Sequence, residues 1–389
     1  MSEISLRPQD CAALSSRWEP LENGGIVASW AGQSIAFNFS GSSLSLKIGG
    51  ATERREKTSG KTPMIAISFP PHSESPLIPA DVKDMRTFDP TAGEVISLIQ
   101  NKAGTETTIR LILIDWASTF ELEAIVINSG ATVTPFVTVA TPVVLGSFQA
   151  ARPHLPIHRV LFVGDSVSCG LVIADADAPP PMPLGCLQAF PFETPRRLAS
   201  MDASKVFSTD LISYPAWHFV TPAPEEEKSG SIPPGGMESR FWKMGPVAKT
   251  SWVPGATERL EGIVLALGCN DDAIPAISPE RFRDALISFV TKVKTTYEAE
   301  AKQQIQIPIY VIFCQAPWIE EGVPTAALYK DFETVILQGL KEQFGAQLVH
   351  FLPEVEVGAE TVDGIHPTVA GHRLLAERLA KLMFDTNFC

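Results

Sequence analysis

The chain has 389 residues, of which 45% are hydrophobic and 19% charged, a composition typical of folded globular proteins and not of disordered ones. Its 31 basic and 44 acidic side chains give a formal net charge of −13, which disfavours binding to a nucleic-acid backbone. No run approaches the roughly 18 apolar residues that a membrane-spanning helix needs. The first 20 residues also lack the basic start and apolar core of a signal peptide. These features predict a cytoplasmic protein, or a secreted one if a leader has been removed.

The cysteines and histidines give no sign of a metal centre. The six cysteines include no CxxC pair, and we expect reduced, buried thiols. The seven histidines are scattered and form neither HExxH nor another paired-ligand spacing. The sequence therefore predicts no bound metal and no organic cofactor.

Residues 1–150 have the hydrophobic pattern of β-strands. Short runs alternate apolar and polar side chains, the period of a strand with one buried face, and Gly, Ser, Asn and Pro separate them. The runs are residues 26–30, 33–39, 43–48, 64–69, 108–114, 121–127 and 135–140. Seven such runs without a long helical pattern predict a β-sandwich or jelly-roll domain. The proline-containing segment 147–158 is predicted to link it to the next domain.

Residues 158–389 instead alternate continuous apolar runs with helical patterns. The runs are residues 159–163, 206–212, 262–267, 307–314 and 347–352. Continuous apolarity is typical of strands that helices cover on both faces, as in a parallel sheet. Helical patterns begin at Pro279, after Thr325 and near residue 368. The sequence predicts a three-layer α/β domain with a doubly wound, flavodoxin-like parallel sheet, and a long loop region over residues 215–258.

Chemically capable side chains follow the predicted strands. Gly-Asp-Ser (164–166) follows the first, Gly-Cys-Asn-Asp (268–271) follows the third, and Asp-Gly-Ile-His-Pro (363–367) precedes the last helix. Because ligands of such sheets bind beyond the carboxyl ends of the strands, we expect these motifs to share one rim. A hydroxyl, a side-chain amide and a carboxylate–imidazole pair at one place are typical of nucleophilic acyl chemistry.

This ordered set resembles the SGNH (GDSL-type) hydrolases over about residues 158–384. The preceding β-region, with Ser-Trp-Ala-Gly at residues 29–32, resembles the jelly roll of carbohydrate esterase family 2. The resemblance implies a serine esterase that hydrolyses small acyl esters, with acetyl expected, of a carbohydrate or other polyhydroxylated compound. The reaction would pass through an acyl-serine intermediate.

The resemblance also implies roles for single residues. Ser166 would be the nucleophile, His366 the base, and Asp363 the group that orients His366. Some family 2 esterases resemble a Ser–His dyad, in which case Asp363 would only cap a turn. The oxyanion donors would be the backbone N–H groups of Ser166 and Ala216 and the side chain of Asn270. The family has glycine at position 216, and alanine adopts a positive φ at a higher cost.

Further residues are expected to support the site or bind substrate. The supporting residues are Gly164, Asp165 and Gly268. Three tryptophans in predicted loops near the rim are candidate stacking surfaces for a sugar ring, although packing into the core is the alternative for each: Trp217, Trp242 and Trp318. Asp271 and Asp272 are expected to cap the turn after the third strand.

Three other functions stay open on the sequence. The same acyl-enzyme could pass its acyl group to a second alcohol, which would make the protein an acyltransferase. A deeper acyl pocket would make it a lipase-like esterase for longer chains. Decay of the site would leave a glycan-binding protein. In each case the expected partner is a small-molecule or glycan ligand, not a nucleic acid or a membrane, and the oligomeric state is open.

Overall fold

A computed structural model of the protein describes residues 3–55, 61–69, 85–100, 102, 104–135, 157–172, 180–202, 204–221, 235–255, 260–272, 277–301, 306–313, 327–353, 361–362, 366–386 and 388. Residues 147–156 of the predicted linker and the run 136–140 lie outside this set. No helix in the described parts of the chain is long and apolar enough to cross a bilayer.

The N-terminal part folds into two antiparallel sheets. In chain order the strands are β1 (Glu3–Leu6), β2 (Ala13–Leu14), β3 (Glu19–Pro20), β4 (Ile26–Ala28), β5 (Ser34–Gly41), β6 (Leu44–Ile48), β7 (Glu53–Arg54), β8 (Ile65–Ser68), β9 (Arg86–Phe88), β10 (Val95–Ile99), β11 (Thr105–Leu113), β12 (Ser118–Asn128) and β13 (Thr132–Pro135), with a short helix α1 (Pro8–Cys11). One sheet has the order β10-β6-β12-β4-β3, with β1 and β7 also paired to β12. The other has the order β13-β5-β11-β8-β9, with β2 paired to β5.

A single hydrophobic core lies between these two sheets. Alternate residues of β5 (Ile35, Phe37, Phe39) and of β6 (Leu44, Leu46, Ile48) are fully buried in it. The period of two in the sequence therefore marks the inward face of each sheet. The sequence analysis did not predict β1, β2, β3, β7, β9 or β10, and all of these except β10 are only two to four residues long. Strands this short show no clear alternation.

The C-terminal part contains a parallel sheet flanked by helices. Its strands are β14 (Ile157–Gly164), β15 (Val206–Ser213), β16 (Gly262–Ala266), β17 (Ile309–Ile312) and β18 (Val349–Leu352). Its α-helices are α2 (Phe190–Met201), α3 (Met237–Arg240), α4 (Cys269–Asp272), α5 (Pro279–Ala301), α6 (Ala327–Lys330), α7 (Gln338–Phe344) and α8 (Val369–Asp385), with a 3₁₀-helix at Gly185–Gln188 and a π-helix at Phe332–Leu337.

The strand order confirms the predicted doubly wound sheet. The order β15-β14-β16-β17-β18, with all pairs parallel, is 2-1-3-4-5 in the sequence of strands, which is the flavodoxin-like order. Right-handed crossovers on either side of β14 place α2 on one face and α5 with α7 on the other. Helix α8 packs against α2 and completes the first helical layer. The switch in direction lies between β14 and β16.

Helix α2 was not predicted from the sequence, because it contains two prolines. Pro191 lies in the first turn, where its missing N–H costs nothing. Pro195 lies inside the helix and cannot donate to the carbonyl of Pro191. The hydroxyl of Thr209 on β15 donates to that carbonyl at 2.7 Å instead. A tertiary contact thus replaces the lost helical hydrogen bond and allows the helix to continue.

The two parts pack against each other through a continuous core. Trp30, Ile114 and Trp116 from the N-terminal part belong to the same hydrophobic cluster as β14 and α2. The Ser-Trp-Ala-Gly turn lies at this interface, where Gly32 has φ +88° and an ideal Cβ would lie 2.6 Å from Phe192 Cζ. The buried ion pair of Arg159 and Asp210, on β14 and β15, meets the N-terminal part at Ser16: Arg159 donates to Ser16 Oγ at 3.2 Å, and Ser16 Oγ donates to Asp210 at 3.3 Å.

The packing at Gly32 predicts a large cost for a side chain there. Gly32→Ala should destabilise the protein through the strain of a positive φ and through contact with Phe192, together roughly 2–4 kcal/mol. Gly93→Ala is the matched control, because Gly93 also has a positive φ (+81°) but no atom lies within 4 Å of its ideal Cβ. It should lose only about 1 kcal/mol. Urea unfolding measures both, and equal losses would contradict close packing at Gly32.

Candidate active site

The turn after β14 presents Ser166 at the carboxyl end of the parallel sheet. Ser166 is 9% exposed, and its carbonyl accepts the backbone N–H of Leu171 at 3.0 Å. Gly164 ends the strand at a place with no room for a side chain, because an ideal Cβ there would lie 1.9 Å from Ser168 Oγ. This crowding explains the glycine that begins the motif.

Asp165 braces the same turn from inside the protein. Its Oδ1 accepts the backbone N–H of Val167 at 3.1 Å, and the side chain is buried. Burial raises the pKa of Asp165 to about 6, while the Val167 N–H and the charge of His366 lower it.

His366 lies in the loop that enters α8 and is 7% exposed. Its carbonyl accepts the backbone N–H of Val362 at 2.9 Å. Immediately after it, Thr368 caps α8, and its side chain accepts the backbone N–H of Gly371. The backbone hydrogen bond to Val362 on one side and the capped start of α8 on the other therefore fix the backbone at His366.

Ala216 has the backbone conformation of a glycine. It follows β15 in the loop that begins at Tyr214, and its φ is +58°. The side chain is exposed, so it adds no steric conflict of its own. A non-glycine residue in this region is strained by about 1–2 kcal/mol. Ala216 therefore occupies a left-handed backbone position, and the loop carries the strain.

Asn270 connects two of the three loops at the rim. It lies in α4, directly after β16, and its Nδ2 donates to the carbonyl of Trp217 at 3.0 Å. The side-chain amide has two N–H groups, and this bond uses one of them. The other can donate to a ligand held between the Ser166 turn and the Ala216 loop.

Asp271 also holds the Ala216 loop, a role that the sequence analysis missed. Its buried carboxylate accepts the backbone N–H of Phe219 at 2.8 Å and that of Val220 at 2.9 Å. Burial raises the pKa of Asp271 to about 7, the two N–H groups lower it, and Asp165 raises it further. Asp271 was expected to cap its own turn. Its position beside Asn270 after a strand was the only sequence signal, because the direction of a side chain depends on the fold.

The structure corrects the expectation for two of the tryptophans. Trp217 is 0% exposed, and its ring packs on Trp30 with centroids 5.8 Å apart, so it has no face for a sugar. Trp242 is half-buried, and Lys292 Nζ lies 4.6 Å from its ring centroid. Phe282 on α5 packs near Gly268 at the rim. Lys292 lies ten residues further along α5, about 15 Å from Phe282, so its contact places Trp242 away from the rim. Trp217 belongs to the core packing that was its alternative, and the half-buried Trp242 packs against the edge of that core.

Two other predicted site residues, Asp363 and Trp318, lie outside the described residues. Their orienting and stacking roles stay predictions. Gly268, predicted to support the site, has φ +122°, and an ideal Cβ there would lie 2.8 Å from the ring of Phe313. No group of three or more His, Cys, Asp and Glu side chains within the described part of the chain could hold a metal ion.

The strain at Ala216 predicts an unusual response to glycine. Ala216→Gly should leave the free energy of unfolding unchanged or raise it by up to about 1 kcal/mol, because relief of strain offsets the added freedom of the unfolded chain. Ala92→Gly, at an exposed turn position without a positive φ, should lose about 0.4–1 kcal/mol. Thermal and urea unfolding compare the two variants. A loss at position 216 as large as that at position 92 would show that Ala216 is not strained.

Comparison with known proteins identifies the fold. The sequence matches no protein-family model and no curated protein. Solved structures nevertheless resemble it over its whole length. A family two carbohydrate esterase from Cellvibrio japonicus is 14% identical with a TM-score of 0.66, and the alignment covers 100% of this chain and 99% of that one.

Two further structures are similar to a comparable extent. An acetyl xylan esterase from the rumen bacterium Butyrivibrio proteoclasticus is 13% identical, with a TM-score of 0.61 and 99% of each chain covered. A salicylyl-acyltransferase from a tetracycline biosynthetic pathway is 14% identical, with a TM-score of 0.60, covering 98% of this chain and 97% of that one. Because the alignments include both the antiparallel sheets and the parallel sheet, this chain has the fold of the family two carbohydrate esterases.

Proposed function

We propose that the protein is a serine esterase that hydrolyses small acyl esters, acetyl above all, of a carbohydrate or another polyhydroxylated compound. The observation that carries the proposal is the convergence of three loops at the switch point of the sheet. These loops hold Ser166 after β14, Ala216 after β15 and Asn270 after β16, and His366 lies in the loop that enters α8, the helix packed against α2. The named activities of the structural neighbours, a carbohydrate esterase and an acetyl xylan esterase, support the substrate class.

The first half-reaction forms the acyl-enzyme. Ser166 Oγ attacks the ester carbonyl carbon while His366 accepts its proton, and the carbonyl electron pair moves onto oxygen. The backbone N–H groups of Ser166 and Ala216 and the second N–H of Asn270 stabilise this oxyanion. When the intermediate collapses, the bond to the alcohol oxygen breaks and His366 returns the proton to the leaving alcohol.

The second half-reaction releases the acid. His366 removes a proton from water as the water oxygen attacks the acyl carbon, and the same three donors stabilise the second oxyanion. The bond to Ser166 Oγ then breaks, and the proton on His366 returns to that oxygen. Asp363 would keep the imidazole in the tautomer that both halves require.

We also propose that the chain consists of two domains. Residues 158–389 would form the catalytic SGNH-type domain, and residues 1–150 would form a jelly roll. The two antiparallel sheets around a common core and the neighbours' fold support this division.

Replacement of the nucleophile tests the proposal. Ser166→Ala should lower turnover of p-nitrophenyl acetate by at least about 10³-fold, because no other hydroxyl would form the acyl-enzyme. Ser168→Ala is the matched control: Ser168 lies on the same turn and is buried, and no partner for its hydroxyl is found among the described residues. It should keep activity within about twofold. A serine-directed phosphonate should add its mass to Ser166 in the wild type. Full turnover by Ser166→Ala would reject the nucleophile, and no phosphonate adduct would favour a glycan-binding protein.

Removal of the side-chain oxyanion donor gives a separate prediction. Asn270→Ala should lower kcat for the same ester by roughly 10²–10³-fold with little change in KM, because the donor acts on charge that appears only in the transition state. Steady-state kinetics measure both constants, and circular dichroism shows whether the variant is folded. A folded variant with unchanged kcat would remove Asn270 from the oxyanion hole.

Acyl transfer is the second candidate function, and the likeness to a salicylyl-acyltransferase supports it. The acyl-enzyme would be the same, with an alcohol in place of water in the second half-reaction. Product analysis in the presence of cellobiose distinguishes the two, since hydrolysis yields the free acid and transfer yields an acylated sugar.

A further inference from the structure

The strained backbone at Ala216 lies between two side chains that the N-terminal part of the protein holds. Tyr214 and Trp217 flank the Pro215-Ala216 turn, and both are buried, with 4% and 0% of their surfaces exposed. A strained residue keeps its conformation only when its surroundings leave it no alternative. The contacts of these two side chains therefore show what imposes the positive φ.

Trp217 is held by Trp30. The two rings meet edge to face, with centroids 5.8 Å apart and an interplanar angle of 84°. Trp30 is itself fixed, because its Nε1–H donates to the Lys243 carbonyl at 3.2 Å and its backbone N–H donates to Gln33 Oε1 at 2.7 Å. The ring of Trp217 thus packs against a rigid turn of the N-terminal part.

Tyr214 is held by Trp116 and Arg55. Its ring meets that of Trp116 edge to face, with centroids 5.6 Å apart at 89°. The Arg55 guanidinium carbon lies 5.8 Å from the Tyr214 ring centroid. Arg55 also donates to Thr119 Oγ1 at 3.0 Å and to the Trp116 carbonyl at 2.8 Å. With a longer bond to the Ser29 carbonyl at 3.4 Å, the guanidinium donates to three groups of the N-terminal part.

We propose that Trp30, Trp116 and Arg55 are positioning residues for the oxyanion hole: by gripping Trp217 and Tyr214, they hold Ala216 in the conformation that aims its N–H at the substrate. The inference rests on the proposed function, since it assigns the N-terminal part a role in that same site. The N-terminal part is then neither a passive support nor a separate binding module. The free energy of two edge-to-face aromatic contacts and one guanidinium contact is similar in size to the strain energy of one left-handed alanine.

The hydrogen bonds from the α/β part hold the loop on one side of Ala216. Asn270 holds the carbonyl of Trp217, and Asp271 holds the N–H groups of Phe219 and Val220. All of these bonds lie after Ala216 in the chain. Tyr214 precedes Ala216 and packs on Trp217 within the loop, with ring centroids 4.7 Å apart. Its contacts with Trp116 and Arg55 add support from the N-terminal part on this side of Ala216.

Paired tryptophan substitutions test the proposal. Trp30→Phe should lower kcat for p-nitrophenyl acetate by about 10- to 100-fold with KM changed less than about twofold, because a small displacement of an oxyanion donor affects the transition state most. Trp18→Phe is the matched control. Trp18 is also buried in the N-terminal part, its Nε1–H donates to the Ser34 carbonyl at 2.9 Å, and its ring meets Phe120 edge to face. It should keep kcat within about twofold at a similar loss of thermal stability.

Arg55→Lys provides a milder variant if Trp30→Phe does not fold. Lysine keeps the charge but loses the planar fork that contacts Tyr214, Thr119 and the Trp116 carbonyl together. We expect a kcat lower by about fivefold or more with little change in KM. Equal kcat losses in Trp18→Phe and Trp30→Phe, or a folded Arg55→Lys variant with wild-type kcat, would overturn the proposal.

Coupling to position 216 separates positioning from general stability. Glycine adopts the positive φ without strain, so the Ala216→Gly background should need less support. The kcat loss caused by Trp30→Phe should therefore shrink by at least about threefold in that background. Losses that simply multiply would show that Trp30 acts on stability alone. If the wild type shows no Ser166-dependent turnover, the proposed function fails first, whereas turnover that is insensitive to Trp30 and Arg55 rejects only this inference.

Discussion

The parallel arrangement of β14 between β15 and β16 is the constraint on which the site depends. Because all three strands run in the same direction, their carboxyl ends lie along one edge, and the loops that follow them must meet there. Residues far apart in the chain, Ser166, Ala216 and Asn270, are thereby brought to one rim. The hydrogen bond from Asn270 to Trp217 and the carboxylate of Asp271 then tie two of these loops together.

The interface between the two parts of the protein is the second constraint on the site, because it fixes the conformation of the Ala216 loop. Trp30, Ile114 and Trp116 belong to the same hydrophobic cluster as the parallel sheet, so one continuous apolar core joins the two parts. The Ser-Trp-Ala-Gly turn inserts Trp30 beside the rim, and Gly32 allows the close approach to Phe192. This packing explains how alanine can keep a positive φ at position 216: the neighbouring aromatic side chains limit the conformations of the loop.

Much of the fold was predictable because strands and helices repeat their apolar residues with different periods. The central strands and the long helices α5 and α8 follow those periods closely, and their ends were placed within a few residues. Prediction failed where local signals were weak or conflicting. Short strands at sheet edges show no period, and α2 contains two prolines that only the Thr209 hydroxyl makes compatible with a helix.

The sequence by itself determined which chemical groups are present and which follow each strand: Ser166 after the first, Asn270 after the third, and His366 before the last helix. Burial and direction were decided only by the tertiary structure, because they depend on contacts between segments distant in the chain. Trp217 was a plausible sugar platform until its ring was found against Trp30, and Asp271 a plausible cap until its carboxylate was found on Phe219 and Val220. The positive φ of Ala216 was also decided only by the tertiary structure, since the surrounding packing, and not the residue type, maintains it.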